Sequence, residues 1–144
     1  MKLRNIVLSA IVCSLAIPAM AASIAKAGKW ETTVQMEMPN MPMKMPPHTM
    51  TVCVTKEQAE NAENLIPKSG DNRGGCTYTD VKVEGSTVSW KITCEKSGMT
   101  GTGSTTYHGD TYEGSMQLKM HDQDMSAKMT GKFLGDCDGT EVKK

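Results

Sequence analysis

Methionine supplies the residues whose type and spacing could carry chemistry in this chain. Thirteen of its 144 residues are methionine, and Met36, Met38, Met41, Met43, Met45 and Met50 crowd into one stretch with His48 among them. Met36-x-Met38 and Met41-x-Met43-x-Met45 place thioethers at every second position. Alternate side chains of an extended backbone share a face, so two or three sulfurs can converge on one ion. Thioether and imidazole donors suit Cu(I) or Ag(I). Pro39, Pro42, Pro46 and Pro47 favour an extended loop that loses little entropy on binding. The same residues also have a plainer use. Methionine fills irregular cores, and this chain has only two tryptophans, three tyrosines and one phenylalanine. Met36 and Met38 alternate with Trp30 and Val34 and so read as core, as do Met116, Met120, Met125 and Met129 in later strands. Met41, Met43 and Met45 stand apart. In a proline-rich loop they serve as ligands, as cover for the end of a barrel, or as an adaptable docking surface.

Other chemical motifs are sparse. His108 and His121 fall at turns and lack metal-ligand spacing to each other or to His48. Asp122, Asp124, Asp136 and Asp138 lack the spacing of a calcium loop and read as turn residues. The sequence holds no nucleophile elbow, phosphate loop or zinc-protease motif. The expectation is a non-enzymatic protein.

The N-terminus has the layout of a secretory leader. Lys2 and Arg4 precede an apolar run from Ile6 to Ala19, and Ala19-Met20-Ala21 supplies the small residues of a cleavage site. Cleavage is expected after Ala21, with Ala25-Lys26-Ala27 as the alternative site. The run is shorter than the roughly 20 residues of a good membrane span. Cys13 lies inside it rather than behind small residues at its end, which argues against a lipid anchor. No second apolar stretch follows, so no stable membrane insertion is expected after cleavage. Residues 1–21 are thus expected to be a signal peptide, and 22–144 a single periplasmic or secreted domain with a Met/Pro-rich loop at 39–50. Removing Lys2 and Arg4 from 16 basic residues leaves 14 against 16 acidic ones, a net charge of −2, with Arg73 the one remaining arginine. That balance argues against nucleic acid, where phosphate neutralisation supplies most of the binding.

Cleavage would leave Cys53, Cys76, Cys94 and Cys137. An even number in an exported chain suggests two disulfides, and the long spacings without Cys-x-x-Cys favour structural bonds over redox or metal sites. Sequence admits three connectivities. One local argument concerns a hairpin around Glu84-Gly85. Placing Val81 and Val83 on the face of Val88 and Trp90 requires a register such as Val81 opposite Val88. Cys76 and Cys94 then fall on opposite faces, unless a bulge or a three-residue loop intervenes. That argument sets aside only Cys76–Cys94; of the two connectivities left, Cys53–Cys76 with Cys94–Cys137 is the one expected.

The elements that must position these residues are mostly strands. Strands are expected over Trp30–Met38, Thr49–Val54, Thr77–Val83, Val88–Cys94, Thr102–His108, Tyr112–Met120 and Met125–Phe133, with clear alternation in the first and the last two and hairpin or turn signals bounding the others. Tyr112, Met116, Leu118 and Met120 share one face, and Met125, Ala127, Met129 and Phe133 share another. Thr55-Lys56-Glu57-Gln58 has the form of a capping box opening a short helix to about Asn64, and 67–75 is a loop by composition. The expected fold is all-β with one short helix: about seven antiparallel strands in a small sandwich or open barrel.

Gly28-Lys29-Trp30-Glu31, Met38-Pro39-Asn40, Cys53, Cys76, Trp90 with Cys94, Gly131, and Gly135-Asp136-Cys137 occur in an order that resembles the bacterial exported family of domain of unknown function 3617. The resemblance implies an exported β-rich domain and no particular activity. Three roles follow as expectations. One is soft-metal binding, Cu(I) above all, through Met36, Met38, Met41, Met43, Met45, His48 and Met50. Another is carriage of a small apolar ligand, since Gly28-x-Trp30 resembles the opening of lipocalin-like barrels. The third is docking to an envelope protein partner through the Met-Pro loop.

Overall fold

The computed structural model describes residues 23–39, 45–66 and 75–140. The leader expected over 1–21, Met41, Met43 and most of the 67–75 loop lie outside the described residues. Among the described residues there are seven strands: β1 Gly28–Glu37, β2 His48–Val54, β3 Cys76–Glu84, β4 Thr87–Cys94, β5 Met99–Tyr107, β6 Thr111–Met120 and β7 Gln123–Gly135. They form one antiparallel sheet in the order β2-β1-β7-β6-β5-β4-β3. Strands β3 to β7 are a meander, and the first strand pairs with the last. β2 and β3 are the outer strands of this sheet, which is not closed, so the expected small sandwich or open barrel takes the form of a single open sheet.

The helical segment is two pieces, α1 Lys56–Glu60 and α2 Ala62–Leu65. The capping box forms: Gln58 N donates to Thr55 Oγ1 at 3.2 Å, and Thr55 N donates to Gln58 Oε1 at 2.9 Å. One longer helix was expected, but Asn61 is extended at φ −118°, and its side chain caps α2 by accepting from Glu63 N at 2.9 Å. Asparagine competes well for such local bonds.

The sheet curls tightly. Trp30 on β1 and Tyr107 on β5 are three strands apart, which is about 14 Å in a flat sheet. Their ring centroids lie 6.2 Å apart. Glycines on the concave face make room for this. A Cβ at Gly131 would overlap the ring of Tyr112, one at Gly103 the indole of Trp90, and one at Gly101 the side chain of Leu118. Each glycine sits across from that large residue on the next strand. Large side chains therefore lie over neighbouring glycines instead of stacking against equally large partners.

Packing is uneven along the concave face. At the end holding the start of β1, Trp30 meets Tyr107, Tyr112 and Phe133. Ala25, Val52, Val54, Ala59 and Leu65 join them in one buried cluster, so α1, α2 and the segment before β1 all pack into this end. Trp30 Nε1 donates to Lys26 O at 3.0 Å and ties that segment down. A second cluster contains Ile66, Val88 and Trp90. Full burial of an aliphatic side chain such as Ile66 or Val88 contributes about 1.5–3 kcal/mol.

The disulfides are Cys53–Cys137 and Cys76–Cys94, not the expected Cys53–Cys76 and Cys94–Cys137, and the Cys76–Cys94 pair is the one that hairpin parity set aside. Next to the turn the parity argument holds: Glu84 faces Thr87 and Val83 faces Val88. The register then shifts between Thr79 and Lys82, where Asp80 adopts φ 53°. One extra residue in β3 reverses the faces beyond it. Tyr78 consequently faces Ile92 and Cys76 faces Cys94, on one side of the sheet.

Candidate functional site

The other end of the concave face is open. Between the end of β1 and the meander lies a cavity of about 660 Å³. Strand alternation directs its walls inward: Met36 from β1, Met50 from β2, Met99 from β5, Met116 from β6, and Met125 and Met129 from β7. Met38 and Met45 flank the mouth, which makes eight of the nine described methionines. Val34, Ile92, Leu118 and Ala127 complete the apolar wall.

The cavity persists because the bulky residues are used elsewhere. Trp30, Tyr107, Tyr112 and Phe133 pack the opposite end, and Tyr78 and Trp90 belong to the second cluster. These six are all the aromatic residues of the chain. What remains at the open end is unbranched thioether, a flexible filler, with Ala127 between Met36 and Met116 across the sheet.

Among the described residues the wall carries no lysine, arginine, aspartate or glutamate. His48 lines it, and Ser126 lines it at a position whose side chain shares the opposite face with Glu37 and Gln117. His48 is exposed at the first residue of β2, opposite Val34. Nearer the packed end, Thr32 Oγ1 and Tyr112 Oη share a hydrogen bond of 2.7 Å. Burial raises the phenol pKa of both Tyr107 and Tyr112, and the Thr32 hydrogen bond opposes that rise at Tyr112. Such a cavity can bury a neutral apolar molecule or offer thioethers to a soft cation.

Of the candidate residues read from the sequence, Met36, Met38, Met45, His48 and Met50 line this one cavity. Met41 and Met43 lie outside the described residues. Met36 and Met45 are well exposed, at 46% and 38%, so they are mouth residues rather than core. Met116, Met125 and Met129 point inward as expected, but onto the cavity wall. Met99 escaped notice because the alternation around it is broken by Gly98, Gly101 and Gly103. Among the described residues no group of three or more His, Cys, Asp and Glu could hold a metal ion. His108 lies 3.5 Å from Glu113, His121 occupies a turn at φ 56°, and all four described cysteines are in disulfides.

Fold and site together define a small disulfide-bridged β domain built around a methionine-lined hollow. The chain belongs to the protein family of unknown function DUF3617, whose sequence model matches residues 25–137. No curated protein and no solved structure matches it.

Proposed function

We propose that this chain is an exported, non-catalytic binding domain whose cavity holds a small neutral apolar molecule. The observation that carries the reading is the hollow itself: about 660 Å³, apolar and without charged residues among the described lining. Ligand pockets fall in the range of roughly 300–1,000 Å³ and share that lining. Export is supported by the leader-like residues 1–21 and by two disulfides, which suit an oxidising compartment.

A neutral solvatochromic dye such as Nile red tests the reading. Wild-type protein should bind it saturably at one site, with blue-shifted emission. Met125→Trp places an indole in the hollow at a partly exposed position, and should abolish binding with the circular dichroism of the sheet retained. No saturable binding, or unchanged affinity in the filled variant, would remove the proposal.

Soft-metal binding is the second reading, favoured because Met36, Met38, Met45, His48 and Met50 share one wall. Leucine keeps the apolar volume of methionine and removes its sulfur. Changing those four methionines to leucine therefore separates the readings. Lost Cu(I) binding with retained dye binding supports a metal site, and unchanged Cu(I) affinity dismisses it.

A further inference from the structure

We infer that the preferred occupant of the cavity is a planar aromatic compound without net charge. The inference rests on the ligand-binding reading above and narrows its chemistry. The starting observation is a segregation of side-chain types. Every aromatic residue of the chain lies outside the cavity wall, and eight thioethers lie on it. Met50 and Met116 border the two packed clusters, while neither cluster includes the other six lining methionines.

Thioether sulfur makes favourable contacts at the edges and faces of aromatic rings, at about 5 Å, beyond what burial alone contributes. At most positions of this wall the protein supplies no ring for that contact. A flat aromatic guest would supply it to several sulfurs at once. A saturated guest of equal volume would gain only the transfer from water. Methionine also has three rotatable bonds, so walls from β1, β5 and β7 can close on both faces of a thin molecule. Charge sets the second part of the specificity. With no ammonium, guanidinium or carboxylate among the described lining residues, an ionised guest would lose hydration without a partner there. His48 at the mouth can meet one hydroxyl or carbonyl group of a neutral guest.

Calorimetric titration with 2-naphthol and its saturated counterpart decahydro-2-naphthol tests this. The two share a hydroxyl and a two-ring framework and differ in the π system. The purified protein should bind the naphthol about tenfold more tightly, the combined effect of two or three sulfur–ring contacts. In a variant with Met36, Met38, Met99 and Met125 changed to leucine, all at partly or well exposed positions, the two affinities should converge. Equal affinities in the wild type, or a preference that survives the leucine changes, would overturn the aromatic inference and leave the cavity reading standing. Binding of neither compound would overturn both.

Discussion

At the scale of single residues, the concave-face glycines decide whether the sheet can curl. Glycine in a strand interior is ordinarily a cost of about 0.5–1 kcal/mol relative to alanine, so propensity alone makes Gly131→Ala stabilising. Packing reverses that sign, because the new Cβ would fall within the Tyr112 ring. Gly131→Ala should therefore destabilise the protein by about 1–3 kcal/mol, the usual cost of overpacking. The penalty should largely vanish when Tyr112 is already leucine, because the two positions interact directly. Urea denaturation of the four proteins of that double-mutant cycle measures both effects, and a stabilised single variant would contradict the curl argument. The sequence displays these glycines openly, but the reason for each stands on a neighbouring strand. Gly103 is explained by Trp90 and Gly101 by the Gln117 carbonyl and Leu118 side chain of β6, neighbours that alternation within one strand does not reveal.

At the scale of elements, alternation and turn signals located all seven strands, and the capping box located the helix start, because these signals are local. Disulfide pairing depended on a register that one residue could reverse. Asp80 is such a residue: aspartate tolerates φ 53° better than most side chains. Its carboxylate meets Lys91 Nζ at 2.7 Å, an ion pair across the hairpin that holds the carboxyl pKa down. Nothing in Thr79-Asp80-Val81 marks it as a bulge without the partner strand. The resulting bridges act on different lengths of chain. Cys53–Cys137 joins β2 to the segment beyond β7 over 84 residues, and Cys76–Cys94 staples one hairpin over 18. In the chain-entropy account, cross-linking contributes about 4.5 kcal/mol for the first and about 3 kcal/mol for the second. Replacing Cys53 and Cys137 by serine should therefore destabilise more than replacing Cys76 and Cys94. Urea midpoints and slopes for the two double variants give the order, and equal losses would mean that the long bridge constrains the unfolded chain less than its span suggests.

At the scale of the whole molecule, the domain divides its concave face between a packed aromatic end and an open thioether end. The sequence showed the methionine enrichment but assigned the strand methionines to core. Their common destination depends on β1 pairing with β7, a contact between the two ends of the chain. The packed end then limits alkaline stability. Tyr107 and Tyr112 hold their phenol protons more tightly folded than unfolded, because burial penalises the phenolate. A folded-state pKa above the unfolded value of about 10 means that the contribution is complete below pH 10. It is then lost progressively as pH rises, because the unfolded chain ionises first. The urea midpoint should accordingly hold at about pH 8 and fall by about pH 11. Tyr107→Phe removes the ionisable group from the more strongly shifted position and should flatten that fall, even if lost contacts lower the midpoint throughout. Tyr112→Phe should flatten it less and should also weaken the protein at neutral pH, where Thr32 loses the partner of its 2.7 Å hydrogen bond. An alkaline fall as steep in both variants as in the parent would place the sensitive group outside the aromatic cluster.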